Sequence, residues 1–338
     1  MQSRLLVLII VGVGLLLAAQ ASDSEPGKST IQHLDFVGRF GVPADHVAVK
    51  GSYLYVTEGW ALEDKISYLR VVDVSDPTRP DEVGELRLDN GTYNIDIQGN
   101  YAYLAMGDYG LGVVDISNPA APKMVGIEDP SGYAGDVFVS GRYAYVAYGL
   151  DGLRIMDISD PRFPEQVAQH SFQNDRSPVS VESVFVEDDR AFLGTFSYGL
   201  YVLDISNPVD PRYVGQTSSP QDVEDMFVVD GYAYTVAEFE GLVVIDATNP
   251  ANPRKVIPKE KVGFGAIGID IVGSYAFLST VSPGRLMTGG LQVLDISNPT
   301  KPSMVLRYET GGSNDVQVAD GYAYVAEGRE GVYILRLD

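Results

Sequence analysis

The sequence predicts an all-β protein. The fold class is a seven-bladed β-propeller of four-stranded antiparallel blades, its ring closed by the N-terminal strand pairing into the C-terminal blade. Three observations predict it. The stretch Leu111-Gly112-Val113-Val114-Asp115-Ile116-Ser117-Asn118-Pro119, running on to Pro122, recurs with its Asp at 73, 115, 157, 204, 246 and 295, at intervals of 42, 42, 47, 42 and 49 residues. Repeats of this length made of short apolar runs build propellers or solenoids. Seven period-two apolar runs at the same spacing offer a first strand to each of seven units. Finally, Leu34 to Phe40 resembles the segment that follows each Asn-Pro turn, so the last strand of a repeat stands first in the chain.

In chain order, residues 1–21 read as a signal peptide. Arg4 gives the positive start, Leu5 to Leu17 the apolar core, and Ala19-Gln20-Ala21 the small-residue cleavage pattern, leaving Ser22 first. An uncleaved anchor is the alternative, although the apolar run is short for a span. Residues 22–33 are expected to be a disordered lead, and residues 34–338 the propeller. The protein is therefore expected to be secreted, extracellular or in the cell envelope (periplasmic in a Gram-negative cell), with no membrane insertion beyond the signal peptide. It has no Cys, so an exported chain of this kind needs a staple other than disulfides. The N-terminal strand is that staple, because it removes both open edges of the ring.

Each unit then reads as four strands. The first carries paired apolar positions, such as Val47/Val49, Ile95/Ile97 and Val137/Val139. A tight turn follows, with Gly at 51, 99, 141, 231, 273 and 321 and Asp188-Asp189 in the fourth unit. The second strand is of the Tyr-Ala-Tyr type, as in Tyr101-Ala102-Tyr103 and Tyr143-Ala144-Tyr145. The third is the long repeated stretch, and its Asp-x-Ser-Asn-Pro reads as turn capping, Pro ending the strand. The fourth is the Val-Gly segment, as in Val83-Gly84, Val125-Gly126 and Val214-Gly215.

The third-strand motif resembles that of the LVIVD-repeat proteins, β-propellers of bacterial and archaeal cell surfaces, over roughly residues 34–338. The resemblance implies the fold and an exported setting, and it carries no catalytic motif. The WD-repeat signature is absent.

Hydrophobic residues make up 45% of the 338, enough for a continuous core. With 24 Lys+Arg against 46 Asp+Glu the formal charge is −22, which repels phosphate backbones and excludes nucleic acid as a partner. The acidity fits cationic partners or salt adaptation.

Topology sorts the loops. The Gly turns and Asn-Pro turns share one face, and the irregular loops share the other, where function concentrates on a rigid scaffold. Two constellations lie there. One is a polar ring at the start of each inner strand: His46, Asn94, Asp136, Ser183, Asp225 and Asp315, with Gly268 breaking it. Converging oxygens there suit Ca²⁺, which takes six to eight, and the same residues read equally as caps on strand ends. Of these, His46, Asn94, Asp136, Asp225 and Asp315 are the candidate metal ligands. Asp96 and Asp270 lie mid-strand at equivalent positions in the second and sixth units, where they line the channel or bind water between blades.

The other constellation is aromatic and acidic. Trp60, Tyr109, Tyr148, Tyr198, Phe239, Glu58, Glu238 and Glu327 are the candidate ligand-binding residues, with Tyr133, Phe172, Phe264, Asp108 and Asp151 among them. Aromatics beside carboxylates suit sugar rings, or peptides bearing Lys and Arg. The reading equally open is that these rings tuck back to plug the loops.

No catalytic residue is assigned. The three His (33, 46 and 170) are scattered, and no nucleophile elbow, P-loop or dinucleotide fingerprint is present. Asn90-Gly91-Thr92 forms a glycosylation sequon. The expected function is a monomeric binding or scaffold module that engages a protein or glycan at the cell surface through the variable face. The alternatives are a hydrolase with calcium at the channel mouth, calcium being the one candidate cofactor, and a structural envelope component.

Overall fold

The computed structural model describes residues 31–59, 67–128, 132–173, 178–237, 240–256, 263, 265–281 and 289–338. The expected signal peptide, and all but the last three residues of the expected lead, lie outside them.

Among the described residues the strands form seven four-stranded antiparallel sheets. Six blades each use four consecutive strands. Their inner strands are His46–Lys50, Asn94–Gln98, Asp136–Ser140, Val181–Glu187, Asp225–Val229 and Ala266–Val272. The seventh sheet joins Asp315–Ala319, Tyr322–Ala326 and Val332–Leu337 to Leu34–Phe40, from the other end of the chain. Leu34 stands opposite Leu337 and Phe40 opposite Val332, with a bulge between Phe36 and Gly38. The predicted closure is thus the observed one. Arg39 reaches Glu330 at 2.7 Å and Arg336 reaches Asp35 at 2.9 Å. Residues of the predicted lead extend the clasp, since the Gln32 N–H donates to the Asp338 carbonyl at 2.6 Å.

The repeated motifs are instructions for neighbouring blades as much as for their own. The aromatic that ends Tyr-Ala-Tyr packs in one cluster with the alanine of the next blade: Tyr55 with Ala102, Tyr103 with Ala144, Tyr145 with Ala191, and Phe192 with Ala233. Tyr234 with Ala276 and Phe277 with Ala323 continue the series. The large ring needs the small partner because interiors tolerate neither void nor overlap. At the closing junction Leu54 of the first blade takes the alanine's place beside Tyr324.

The turn reads as expected. Its Asp accepts the N–H two residues on at 73, 115, 157, 204, 246 and 295, over 2.8–3.1 Å. In the fourth blade Asp188 takes the left-handed conformation, φ 53°, that glycine supplies in most others.

The outer-strand glycine has a steric cause. A Cβ on Gly38, Gly84, Gly126 or Gly215 would collide with the carbonyl of Pro77, Pro119, Pro161 or Pro250 in the turn of the next blade. Gly84→Ala is expected to lower the melting temperature, overpacking of this kind costing about 1–3 kcal/mol. Gly41→Ala, with open space around it, is the control that leaves the thermal melt unchanged.

Candidate functional site

The innermost strand of each blade has a partner on one side only, so alternate N–H groups on its open edge need other acceptors. Five aspartates supply them, each binding its own strand and the next blade together. Asp136 accepts from Val137 and from Val184 of the fourth blade, both at 2.7 Å. Asp225 accepts from Met226 at 2.7 Å and Ile269 at 3.0 Å, and Asp315 from Val316 at 2.7 Å and Val47 at 2.9 Å. The mid-strand pair does the same: Asp96 takes Ile97 and Val139, and Asp270 takes Ile271 and Val318. The two remaining junctions use other chemistry. Ser183 donates to the Val223 carbonyl at 3.1 Å, and Lys50 donates to the Gly99 carbonyl and, at 3.3 Å, to Asn100. Every junction of the ring is therefore latched by an inner-strand side chain.

Asp136 is buried, and the other four latch aspartates are half-buried. Burial pushes the Asp136 carboxyl up to about 8, helped by the charge of Asp225. It pushes Asp225 and Asp315 to about 7, and Asp96 and Asp270 to about 6. Two N–H donors favour each anion, but desolvation is the larger effect. Burial drives the His46 imidazole down to about 4 against the pull of Asp45, which keeps it neutral near pH 7.

The predicted ring does gather. His46, Asn94, Asp136, Asp225 and Asp315 line one cup at the channel mouth, about 70 Å³, with Glu182 and Glu224 on its wall. Two residues further along their strands, Phe138, Phe185 and Phe227 stack at 4.6 and 4.9 Å. The aspartate oxygens face backbone N–H groups, and His46 Nδ1 stands 4.0 Å from Asp315. Among the described residues no group of three or more His, Asp or Glu is placed to hold a metal ion. The geometry of the ring aspartates is that of strand capping.

The variable face redistributes the second constellation. Tyr109 is exposed, as expected. Tyr148 is not a surface group: it is 1% exposed, with the Arg154 guanidinium 4.0 Å from its ring centre. Nor is Glu327, at 4%, whose carboxyl accepts from Thr310, Gly311 and Gly312 and is raised by burial to about 7. Both read as binding residues in the sequence because a loop position alone does not tell which way a side chain turns. Tyr198 is half-buried against the core between the third and fourth blades, and Phe172 is buried there. Glu58 is half-buried and holds Arg70 at 3.3 Å, together with Glu82 and Glu85. Trp60, Glu238, Phe239 and Phe264 lie outside the described residues. The sequon is tied inward: Asn90 donates to the Met106 carbonyl at 2.9 Å and Thr92 is fully buried.

Two exposed groups escape the sequence reading. Leu150 is 61% and Phe196 58% exposed, on adjacent loops of the third and fourth blades. Leu150 lies at the tip of a turn bounded by Gly149 and Gly152, both at positive φ. An apolar residue at such a tip is the signal the sequence offers. Between blades the loops interlock, Gly107 bridging to Ala134, Gly149 to Val181 and Gly328 to Ala44, so the face is a stitched surface.

A family model described as LVIVD repeat matches residues 43–87, 91–129, 131–168, 180–218, 220–257, 266–310 and 311–335. The chain belongs to the LVIVD-repeat family. In this LVIVD-repeat propeller the matched segments coincide with the blades, and the last is short because its fourth strand comes from residues 34–40. Among curated proteins no sequence matches the chain. Its fold is similar to that of the β-propeller domain of Myceliophteria thermophila Cps50 (Swd1), at 10% identity and TM-score 0.68 over 90% of this chain and 100% of that one. It is also similar to the computationally designed Ika8 protein, at 10% identity and TM-score 0.59 over 89% of this chain and 98% of that one. These likenesses concern the fold. Among the described residues no helix is long and apolar enough to cross a membrane.

Proposed function

We propose that this propeller is an exported binding or scaffold module that engages a protein or glycan at or outside the cell surface through its variable loop face. The observation that carries the reading is that Tyr109, Tyr133, Leu150 and Phe196 are all exposed on loops of that face in the second to fourth blades. Exposed apolar groups brought together on a rigid scaffold mark interaction surfaces. The ring aspartates, by contrast, hold neighbouring blades together. The export part of the reading rests on the amino-terminal pattern alone, and N-terminal sequencing of the mature protein tests it by starting at Ser22.

The double substitution Leu150→Ser/Phe196→Ser tests the surface. Both side chains are exposed, so the thermal melt is expected to stay within a degree or two, surface changes being worth about 0.5 kcal/mol or less. Retention of the purified protein on cell-envelope fractions of its source organism is expected to fall by about tenfold, as for loss of an interface anchor. Unchanged retention would count against this face.

A further inference from the structure

We infer that the second to fourth blades of the variable face form a docking strip for a polypeptide segment that carries Lys or Arg beside apolar side chains. The inference rests on the reading of that face as a binding surface and names the partner class.

The strip is continuous. Tyr93 and Tyr133 lie with ring centres 4.9 Å apart, and the Tyr133 ring packs against the Gly107 turn that bears Tyr109. Gly149, next to Leu150, abuts Tyr133 and Ser180. The Phe196 N–H donates to the Ser180 carbonyl at 3.3 Å, and the Phe196 carbonyl accepts from Asp222 at 2.7 Å. Tyr109, Tyr133, Leu150 and Phe196 are 39, 37, 61 and 58% exposed along this path.

Charge selects the occupant. The described residues along this path include Asp89, Asp108, Asp151, Glu182, Asp222 and Glu224, and they outnumber the cations that reach it, Arg87 at 3.9 Å from Asp89 and Lys255, which donates to Ser219 at 3.1 Å. Asp151 holds Arg154, which lies buried beneath the loop. Burial and the neighbouring Tyr93 oppose ionisation of the Tyr133 hydroxyl, and the charges of Glu182 and Asp108 add to this. Glu182 and Glu224 also face the cup at the inner end of the strip. Apolar knobs set among an excess of carboxylates accept apolar side chains spaced by ammonium or guanidinium groups. An acidic segment would meet net repulsion from the described carboxylates, and a neutral glycan would leave their excess charge without a role.

The test uses a short fluorescein-labelled peptide alternating Lys and Leu, followed by anisotropy against the mature protein. Matched Glu/Leu and Lys/Ser peptides and a neutral β-glucan serve as comparisons. The Lys/Leu peptide is expected to bind, to weaken as salt rises from about 50 to about 300 mM, and to outbind Lys/Ser and Glu/Leu by at least about tenfold. Leu150→Ser/Phe196→Ser is expected to cost about tenfold or more. Asp108→Asn/Glu182→Gln is expected to cost several-fold and to flatten the salt dependence. Phe163→Ser, an exposed residue on the opposite face, is the folded control and is expected to change nothing.

Peptide binding indifferent to Leu150 and Phe196 would overturn the strip. So would equal binding of the Lys/Ser peptide, which would mean non-specific attraction to an acidic protein. Absence of peptide binding, while envelope retention still depends on Leu150 and Phe196, would overturn the basic polypeptide and leave the binding face. Competition by the β-glucan in that case would assign the face to a glycan. Loss of both readouts would overturn the two readings together.

Discussion

Removal of residues 31–40 is expected to lower the melting temperature by roughly 10 °C. The segment supplies the fourth strand of the seventh blade, and its loss leaves Val332–Leu337 as an open edge. It also withdraws Ile31, Leu34, Val37 and Phe40 from the clusters at the closing junctions. Each such side chain contributes about 1.5–3 kcal/mol when fully buried, and these are partly buried, so several kcal/mol are lost in all. A chain of this size moves roughly 2 °C per kcal/mol. Differential scanning calorimetry reads the change. A variant that carries the same segment after the C-terminus, joined through an Asn-Pro turn like those of the other blades, is expected to recover most of it. An unchanged melt on deletion, or no recovery on relocation, would refute the clasp.

Acidification from about pH 8 to about pH 5 is expected to stabilise the fold. An aspartate in the unfolded chain titrates near 3.9, whereas burial places the latch residues between about 6 and about 8. A carboxyl whose pKa is raised by folding contributes stability that is full below its unfolded value and is lost as pH rises through its folded value. The five latch aspartates act in this sense, and so does Glu327, which burial raises to about 7. His46 opposes them, since an imidazole pushed down to about 4 costs stability as pH falls below its ordinary value of 6.5. Turn aspartates such as Asp73 and Asp115 are lowered by the Ser N–H groups they accept, and their contribution is lost only below the usual carboxylate range. Stability is therefore expected to peak near pH 5, higher than at pH 8 by several kcal/mol, since each tenfold gain in proton affinity on folding is worth about 1.4 kcal/mol. Urea unfolding at a series of pH values measures it. Asp136→Ala is expected to be less stable than the parent near pH 5, having lost a latch, and to show a flatter dependence on pH. A parent curve that rises toward pH 8 would defeat the prediction.

The chain shows how a repeat can be read and a site cannot. Intervals near 42 residues, the Asp-x-Ser-Asn-Pro turn and the Val-Gly strand all recur, because each blade faces the same local demands of twist, turn and neighbour. Those demands are written in residues close together, so blade number, strand order and the closing strand were legible. The purpose of some repeated residues was less so. Gly84 looked like part of a strand, but it is small because a carbonyl from the next blade leaves no room for a Cβ. Tyr103 reads as a residue of the second strand, and its ring shares a core cluster with Ala144 of the next blade.

The site depended on direction and distance. His46 and Asp315 stand at opposite ends of the chain and line one cup, as the topology implied. Whether the aspartate oxygens turned to a shared centre or to neighbouring N–H groups was open until the edge of each inner strand had its place. Tyr148 and Leu150 are two residues apart on one turn, yet one is buried beneath Arg154 and the other points into solvent. The sequence by itself determined the propeller, its closure and its acidic, cysteine-free character, because period, turn chemistry and composition act over short range. Only the tertiary structure decided that the aspartate ring latches blades and that the exposed apolar strip runs over the second to fourth blades. Both follow from which groups different blades turn toward each other, and no single repeat contains that information.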